Sequence, residues 1–382
     1  MLKRSMSSVF ERLSKIFPII GITGPRQSGK STLAKLYFPH LPYLTLEDLD
    51  VREQALSDPR KFFIQYKDGV ILDEVQNAPE LLSYLQGVVD ASPAKGRFVL
   101  TGSQNFALTE SITQSLAGRI GMTTLLPLSL SELNMPPDTL KNIFYGGYPA
   151  LYSTGAHPLD FYPSYVQTYI ERDIRQLKLI GDLGLFKTFI KLCAGRVGQV
   201  INYTSLAQDC GISHTTARQW LTILEASYLV FTMRPFYKNF SKRLIKMPKL
   251  YFYDTGVVCS LLGLETEAQV ETHYLKGALY ENLVILEVLK GRLNRGLPVD
   301  LYFWRDRTGR EIDLIVEWGG VTRALEIKSG MTFRKDFTDN VQYFCDLDST
   351  ARGYVIYEGT RTGTFGNTAM IPFSEIEKLL SE

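Results

Sequence analysis

Short apolar runs, separated by segments with helical spacing, characterise the first third of the chain. The runs lie at residues 17–23 (FPIIGIT), 69–74 (GVILDE) and 97–101 (RFVLT), and each is short enough to be one buried strand. Residues 31–37, after the first run, have the spacing of a helix. Apolar strands that alternate with helices are typical of a parallel sheet covered on both faces. Residues 1–135 are therefore predicted to form an α/β domain.

Three further modules are predicted after the pattern breaks at Pro136 and Pro137. Residues 136–199 are mainly helical, with apolar and aromatic residues three and four apart. Residues 200–255 have the pattern of helix, turn, helix and then a hairpin. The remaining residues, 256–382, have the pattern of an α+β module. The chain is thus expected to be an α/β protein of four modules.

The composition is that of a globular protein. Of its 382 residues, 45% are hydrophobic and 21% are charged, which excludes a wholly disordered or fibrous chain. The net charge is only +2, so any binding of nucleic acid must come from a local cluster of charge. No apolar stretch has membrane-spanning length, no secretory core is visible, and the four cysteines lie far apart. We therefore expect a reduced cytoplasmic protein without a membrane partner.

A phosphate-binding loop is the most specific motif in the chain. Residues 24–31 (GPRQSGKS) match G-x-x-x-x-G-K-[ST], follow a buried strand and open a helix, as this motif requires. The glycines let backbone N–H groups face the β-phosphate of ATP, the lysine reaches the β- and γ-phosphates, and the serine hydroxyl binds Mg²⁺. The predicted nucleotide-binding residues of this segment are Gly24, Gly29, Lys30, Ser31 and Thr32.

The run at residues 70–74 (VILDE) predicts the second half of this site. Its strand would deliver Asp73 to the edge of the sheet where open α/β sheets bind ligands. There Asp73 would hold Mg²⁺ through water, and Glu74 would polarise the attacking water as a general base. ATP and Mg²⁺ are accordingly the predicted cofactors.

Two more polar positions are candidates for this site. The run at residues 98–104 (FVLTGSQ) ends in small polar residues, of which Ser103 is the first candidate for sensing the γ-phosphate and Thr101 the second. Residues 107–118 are predicted to be a helix that ends beside Arg119. Arg119 could reach the ATP of a neighbouring subunit as an arginine finger. The alternative is an ordinary surface charge at the end of a helix.

These motifs resemble those of the AAA-type ATPases that carry a C-terminal segment of the DUF4143 type. The resemblance is carried by GPRQSGKST, VILDEVQ, LTGSQ and SLAGRI, and it continues through LAQDCGIS, EIDLIVEW and LEIKSG to span nearly the whole chain. It implies an AAA-like core at 1–135, a helical lid at 136–199, a winged helix at 200–255 and a nuclease-like domain at 256–382. In the lid, either Arg172 or Arg175 could contact the γ-phosphate, or both could form ordinary helical ion pairs, for example with Asp173.

A helix–turn–helix pattern lies within residues 206–224. Gly211 would supply the turn and Ser213 the N-cap of the second helix. Spacings of four and three place its apolar residues inside the module. The polar residues left to face a DNA groove are His214, Thr215, Arg218 and Gln219.

A basic segment follows at residues 233–250 (MRPFYKNFSKRLIKMPKL). It contains no acidic residue and interleaves aromatic residues among its charges. This predicts a basic wing that lies along phosphates and contributes affinity rather than sequence readout. The wing's basic residues are Arg234, Lys238, Lys242, Arg243, Lys246 and Lys249, of which Lys238, Lys242, Arg243 and Lys246 are the predicted DNA contacts. A protein-docking module or a solvated face is the alternative.

Residues 311–329 (EIDLIVEWGGVTRALEIKS) have the pattern of a hairpin with its two glycines as the turn. Trp318 then faces Val321, and counting back pairs Asp313 with Glu326. Like charges directly opposite one another are unfavourable in a sheet. A divalent cation, Mg²⁺ or Mn²⁺, is therefore expected to compensate them.

A third carboxylate, Glu281, lies on a helix face that is otherwise apolar, where it is costly unless paired or metal-bound. The set resembles the PD-(D/E)XK nucleases, including archaeal Holliday-junction resolvases, although no proline precedes Asp313. The resemblance assigns metal binding to Glu281, Asp313 and Glu326, and it implies that Lys328 orients water or stabilises the developing charge. A DNA-binding relic remains open, as does a structural cluster in which Lys328 neutralises Glu311 or Glu326.

The function favoured by the sequence is ATP-dependent DNA processing. An AAA-like ATPase would assemble into a homo-oligomeric ring or arc, with six subunits as one candidate number. Its nucleotide state would move the winged helix, and the terminal domain would bind or cut DNA, with branched DNA as one candidate substrate. The alternatives are a nucleotide-gated switch read by a protein partner, and a DNA motor with an inactive nuclease fold.

Overall fold

The computed structural model contains two compact units. The first comprises Met1–Leu128 together with Ala226–Tyr228 and Leu293–Leu297, and the second comprises the rest of the chain. The residues that the structure describes are 2–92, 94–103, 115–134, 138–169, 180–237 and 246–381.

A five-stranded sheet forms the centre of the first unit. Its order is β2-β3-β4-β1-β5, and every neighbouring pair is parallel, which confirms the predicted α/β fold. The strands are β1 (Ile19–Thr23), β2 (Tyr43–Thr45), β3 (Val70–Asp73), β4 (Phe98–Gly102) and β5 (Ile120–Thr124). The helices are α1 (Ser7–Ile16), α2 (Lys30–Tyr37), α3 (Leu49–Ser57), α4 (Pro59–Gln65) and α5 (Leu81–Ala91), with a 3₁₀ turn at Val75–Asn77.

Both faces of this sheet are covered at β1, β3 and β4, where every residue is buried. Successive side chains of a strand point to opposite faces, so alternate residues enter two separate cores. Leu72 and Leu100 pack in one core, and Ile71 and Val99 pack in the other. The strand ends thus remain the part of the sheet at which polar residues can gather.

The second unit contains an eight-stranded mixed sheet in the order β12-β13-β11-β10-β9-β8-β6-β7. The strands are β6 (Val230–Pro235), β7 (Lys249–Phe252), β8 (Leu301–Arg305), β9 (Glu311–Trp318), β10 (Val321–Lys328), β11 (Arg352–Tyr357), β12 (Gly363–Phe365) and β13 (Thr368–Pro372). The helices are α6 (Leu130–Leu133), α7 (Thr139–Tyr145), α8 (Pro149–Ser153), α9 (Pro158–Tyr169), α10 (Leu183–Ala194), α11 (Tyr203–Cys210), α12 (His214–Ala226), α13 (Thr255–Leu262), α14 (Glu267–Thr272), α15 (Lys276–Leu293), α16 (Asp339–Leu347) and α17 (Ile376–Ser381), with 3₁₀ turns at Lys335–Thr338 and Phe373–Glu375.

The helix–turn–helix lies in α11 and α12. Gly211 has a positive φ of 71°, the left-handed conformation that ends a helix without steric cost only for glycine. The Ser213 hydroxyl accepts a hydrogen bond from the Thr216 N–H at 3.0 Å, which is the geometry of an N-cap. The apolar residues that the spacing placed inside are all buried, namely Ala217, Leu221 and Leu224.

The hairpin after the helix–turn–helix belongs to the large sheet. β6 and β7 are antiparallel, with Met233 opposite Lys249. β6 also pairs in parallel with β8, with Arg234 opposite Tyr302. The predicted boundary between residues 255 and 256 therefore does not coincide with a break in the sheet. The four-module division stays a prediction.

None of the helices in the described ranges is long and apolar enough to cross a membrane. The four cysteines all have free thiols, and Cys193, Cys210 and Cys259 are buried.

Candidate functional site

The phosphate-binding loop has the backbone that the motif requires. It joins the end of β1 directly to α2, which begins at Lys30. Gly24 has a φ of +138°, and a Cβ placed there would lie 2.2 Å from the carbonyl oxygen of Leu125. Gly29 precedes α2 with a φ of +95°. Both positions therefore demand glycine, the first because of conformation and space, the second because of conformation.

Lys30 lies within this loop and is buried. Its ammonium group donates to the carbonyl oxygen of Gly24 at 3.0 Å and to that of Pro25 at 2.8 Å. The loop thus holds the positive charge beside the N-terminus of α2, where both the amides and the helix dipole favour an anion.

Asp73 brings the two halves of the predicted site together at the end of β3. The Ser31 hydroxyl lies 2.9 Å from both carboxylate oxygens of Asp73. Thr101 also donates to Asp73, and the Tyr43 hydroxyl does so at 2.5 Å. Burial raises the pKa of Tyr43, and its hydrogen bond to Asp73 raises it further. A serine hydroxyl beside a carboxylate is a donor set that fits Mg²⁺.

Glu74 lies next to this group in a strained conformation. Its φ of 55° and ψ of 50° are left-handed, which is uncommon for a residue other than glycine. Its carboxylate accepts from the Ser103 hydroxyl at 3.0 Å and from the side-chain amide of Gln76. The structure thus brings Ser103 to Glu74 and Thr101 to Asp73. Their roles in sensing the γ-phosphate stay predictions, as does that of Glu74 as a base.

Arg4 supports the phosphate-binding loop and was not found from the sequence. Its guanidinium donates to the carbonyl oxygen of Ser28 at 2.9 Å and to that of Leu126 at 2.7 Å. The side chain is buried, with 7% of the residue exposed. A single basic residue ahead of a helix is usually on the surface, so the sequence carried no signal for this contact. Tyr43 was missed because its contact with Asp73 depends on the pairing of β2 with β3.

Arg119 has a partner within its own chain. Its Nε and Nη2 atoms donate to the two carboxylate oxygens of Asp90 at 2.6 Å and 2.9 Å. The pair joins the start of β5 to the end of α5. Residues 104–114, which include most of the predicted helix before Arg119, lie outside the described residues. Action of Arg119 on a neighbouring subunit stays a prediction.

The predicted DNA-facing residues of α12 are on the surface. His214, Thr215 and Arg218 are all exposed. The Arg218 guanidinium lies 5.8 Å from the centre of the Tyr203 ring, so an aromatic residue of α11 supports it. Lys246 of the basic segment is also exposed. The predicted contacts that lie outside the described residues are Lys238, Lys242 and Arg243, and the lid residues Arg172, Asp173 and Arg175 lie outside them too.

The predicted hairpin of β9 and β10 has the expected register. Trp318 is opposite Val321, and the pairing continues as far as Leu314 and Leu325. Asp313 and Glu326 are the next residues along these strands. Asp313 accepts a hydrogen bond from the Ile327 N–H at 2.8 Å.

The carboxylates of this cluster are contacted by lysines. Lys328 lies 2.6 Å from one oxygen of Glu326, which corresponds to the structural alternative left open by the sequence. The ammonium of Lys249 lies 3.0 Å from Glu281 and also contacts Glu311. Lys249 is therefore buried in this cluster. Its assignment to the surface of a basic wing was wrong, because every residue of β7 is buried.

Burial changes the protonation of two of these acids. It raises the pKa of Glu281 to about 7, against the opposing charge of Lys249. Burial, and then repulsion from Asp313, raises the pKa of Glu326 to about 8, against the attraction of Lys328. Both carboxyls therefore titrate near neutral pH.

Metal binding by Glu281, Asp313 and Glu326 stays a prediction. Among the described residues, no group of three or more His, Cys, Asp or Glu is arranged to hold a metal ion. The second oxygen of Glu326 is buried without a hydrogen-bond partner. Lys249 and Lys328 form ion pairs with two of these acids, Glu281 and Glu326.

Comparisons with known proteins agree with the nucleotide site. The model of an AAA domain matches residues 17–134, and models of two domains of unknown function, DUF8612 and DUF4143, match residues 137–268 and 276–376. Uncharacterized proteins of Mycobacterium tuberculosis and Mycobacterium bovis are each 30% identical over 334 residues, covering 86% of this chain and 74% of the relative. The chain belongs to the family of AAA-domain proteins with a C-terminal DUF4143 domain.

This AAA–DUF4143 protein is also similar, at lower identity, to one archaeal relative and to solved archaeal ATPases. An uncharacterized protein of Methanocaldococcus jannaschii is 22% identical over 337 residues, covering 77% of this chain and 71% of the relative. The solved Walker-type ATPase of Pyrococcus abyssi is similar with a TM-score of 0.47 and 15% identity, over 68% of this chain and 96% of that one. A STAND-type signal transduction ATPase of Pyrococcus horikoshii has a TM-score of 0.30 and 13% identity, over 78% of this chain and 48% of that one.

The AAA–DUF4143 protein is a P-loop ATPase of the AAA type. Its AAA domain match covers the whole nucleotide site, and the geometry of that site brings the expected lysine, serine and aspartate together. The contact of Lys30 with phosphate oxygens and the binding of Mg²⁺ by Ser31 and Asp73 stay predictions.

Proposed function

We propose that this AAA–DUF4143 ATPase binds DNA through the helix–turn–helix and that its nucleotide cycle controls that binding. The observation that carries the proposal is that α12 is amphipathic. One face is buried in the second unit, while the other exposes His214, Thr215 and Arg218, residue types that contact base edges and phosphates. A polar face is ordinary for a surface helix, so support for the proposal comes from the residue types on this face and from their place in a helix–turn–helix.

In the ATPase reaction, Lys30 would bind the β- and γ-phosphate oxygens and stabilise the charge that develops on them. Mg²⁺, when held by Ser31 and Asp73, supplies further neutralisation of the phosphates. Glu74 would take up a proton from the attacking water. To do so it has to leave the hydrogen bonds from Ser103 and Gln76 described above.

The basic segment would add affinity. Arg234 and Lys246 are exposed, and they lie on a stretch of chain without an acidic residue. Contacts of lysine and arginine with phosphates release counterions, so binding should weaken steeply with salt. We propose binding or remodelling of DNA rather than cleavage, since the carboxylates of the C-terminal sheet are already compensated by lysines.

The test is fluorescence anisotropy of a labelled duplex and a labelled four-way junction, in ADP and in a non-hydrolysable ATP analogue. Arg218→Ala should weaken binding about five-fold or more and flatten the salt dependence. The matched control is Arg352→Ala, which removes an exposed arginine of β11 in the same unit. Binding by the wild type should also differ between the two nucleotides.

The opposite results would contradict the proposal. If the wild type binds no DNA at low salt, the nucleotide-gated switch read by a protein partner replaces it. If Arg218→Ala and Arg352→Ala bind equally well, DNA contact by α12 is wrong.

A further inference from the structure

Lys249 lies at the centre of the charged cluster in the C-terminal sheet. It sits on β7, a strand held by β6, and its ammonium lies 5.6 Å from the centre of the Phe303 ring. It contacts Glu281 at 3.0 Å and Glu311, and only 3% of the residue is exposed. A charge placed by a strand and flanked by two acids and an aromatic face has little freedom to move aside.

The acids around Lys249 are already engaged by protein donors. Tyr251 donates to the oxygen of Glu281 that also contacts Lys249. Arg305 lies 3.3 Å from the second oxygen of Glu311. Asp313 accepts from a backbone N–H of β10, as described above. These contacts use one oxygen of Glu281, both oxygens of Glu311 and one oxygen of Asp313, so protein donors already take part of the oxygen set that a divalent cation would bind.

The charges of the cluster nearly balance without a metal. Four carboxylates, those of Glu281, Glu311, Asp313 and Glu326, face three cations. The cations are Lys249, Arg305 and Lys328, so one negative charge remains when all four carboxyls are ionised, and protonation of Glu281 or Glu326 removes it. Without Lys249 the excess would double, and a divalent ion would then match it. Lys249 is thus the residue that decides whether this cluster attracts a metal.

We propose that Lys249 is the resident cation of this cluster and occupies the role of a divalent metal, so that the C-terminal domain does not cut DNA by metal-dependent chemistry. The four-residue pattern of acids and lysine, taken alone, points to the opposite conclusion. The two conclusions differ because Lys249 does not belong to this pattern. It comes from the hairpin of β6 and β7, which is distant in the sequence from β9 and β10. The inference does not depend on DNA binding by α12.

The first test measures Mn²⁺ binding to the full-length protein without nucleotide, by electron paramagnetic resonance of free Mn²⁺. Asp73→Asn is present throughout, so that the ATPase site contributes no ligand. We expect no bound Mn²⁺ in this protein. Binding that disappears on adding Asp313→Asn would overturn the proposal, and so would Mn²⁺- or Mg²⁺-dependent cleavage of junction DNA that Asp313→Asn abolishes.

The second test uses a substitution that should create a metal site in this cluster. In the same background, Lys249→Ala removes the ammonium and leaves space between Glu281 and Glu311. We expect Mn²⁺ to bind this variant and to raise its melting temperature, and we expect Glu281→Gln to abolish both effects. The matched control is Lys276→Ala, which removes a lysine of α15 that pairs with Glu271 and Glu358.

A folded Lys249→Ala variant that binds no Mn²⁺ would contradict the role of Lys249. If that variant does not fold, the first test still decides, because it uses a protein with the cluster intact. DNA binding by Arg218 is measured separately, so failure of either proposal is recognisable on its own.

Discussion

Arg4 shows how one side chain can fix the shape of a catalytic loop from outside it. Its guanidinium has two donors for two backbone oxygens, one on the phosphate-binding loop and one after β5. A lysine ammonium in its place lacks the planar fork that spans both. The buried carbonyl groups would lose their donors in a smaller residue, at a cost of about 1–3 kcal/mol.

Arg4→Ala should accordingly raise the KM for ATP more than it lowers kcat, because the loop binds the phosphates in the ground state as well as the transition state. Arg4→Lys should restore only part of the affinity. Steady-state phosphate release measures both constants, and Lys3→Ala is the control, since Lys3 is the exposed neighbour. Unchanged KM in Arg4→Ala would show that the contact is structural only.

Glu74→Gln should keep ATP binding and lose turnover. The amide occupies the same space and still accepts from Ser103, but it cannot take a proton from water. We expect a loss of about 10²–10⁴ in kcat. Calorimetric titration with ATP and single-turnover hydrolysis separate the two effects. Hydrolysis at the wild-type rate would remove Glu74 from the reaction.

The raised pKa of Glu326 predicts that the stability of the protein depends on pH. Its folded pKa, about 8, is above the ordinary value of 4.5, so the folded state favours the protonated carboxyl. This contribution is complete at acidic pH and is lost as the pH rises through about 8. Urea unfolding should therefore show the wild type losing more stability than Glu326→Gln, which carries no such group, as the pH rises from about 4.5 to about 8. Parallel pH profiles of the two proteins would contradict this assignment.

At the scale of elements, the N-cap of α12 allows folding and DNA binding to be separated. Ser213→Ala removes the hydrogen bond to the Thr216 N–H and should cost about 1 kcal/mol of stability. Ser213→Asp keeps a capping oxygen but adds a negative charge to the exposed end of the helix. We expect Ser213→Asp to unfold like the wild type and to bind DNA more weakly. Thermal unfolding measures the stability of Ser213→Asp, and fluorescence anisotropy measures its DNA affinity. Equal DNA affinity in Ser213→Asp and wild type would contradict this prediction.

Elements whose signals are local could be predicted from the sequence. The loop and helix at Lys30, the turn at Gly211 and the register of Trp318 with Val321 all depend on residues close together in the chain. The position of Lys249 could not be predicted. It depends on β6 pairing with β8, which joins residues far apart in the sequence, and a lysine in a basic stretch is most often exposed. The contact of Arg4 with Leu126 was hidden for the same reason.

At the scale of the whole molecule, the pair of Arg119 and Asp90 tests assembly. If Arg119 acts on a neighbouring subunit, Arg119→Ala should lose turnover and retain ATP binding, and wild-type turnover per subunit should rise with protein concentration. Asp90→Ala releases Arg119 from its partner and should then preserve turnover. If both variants lose stability equally and hydrolyse ATP normally at every concentration, the pair only connects α5 to β5.

The pairing of β6 with β8 has a practical consequence for anyone who dissects this protein. A fragment made from residues 276–376, the span matched by the DUF4143 model, would omit β7 and with it Lys249. It would keep all four acids and present them to buffer without their internal counter-charge. Metal affinity found in such a fragment would therefore not show that the intact chain, which contains Lys249, binds metal.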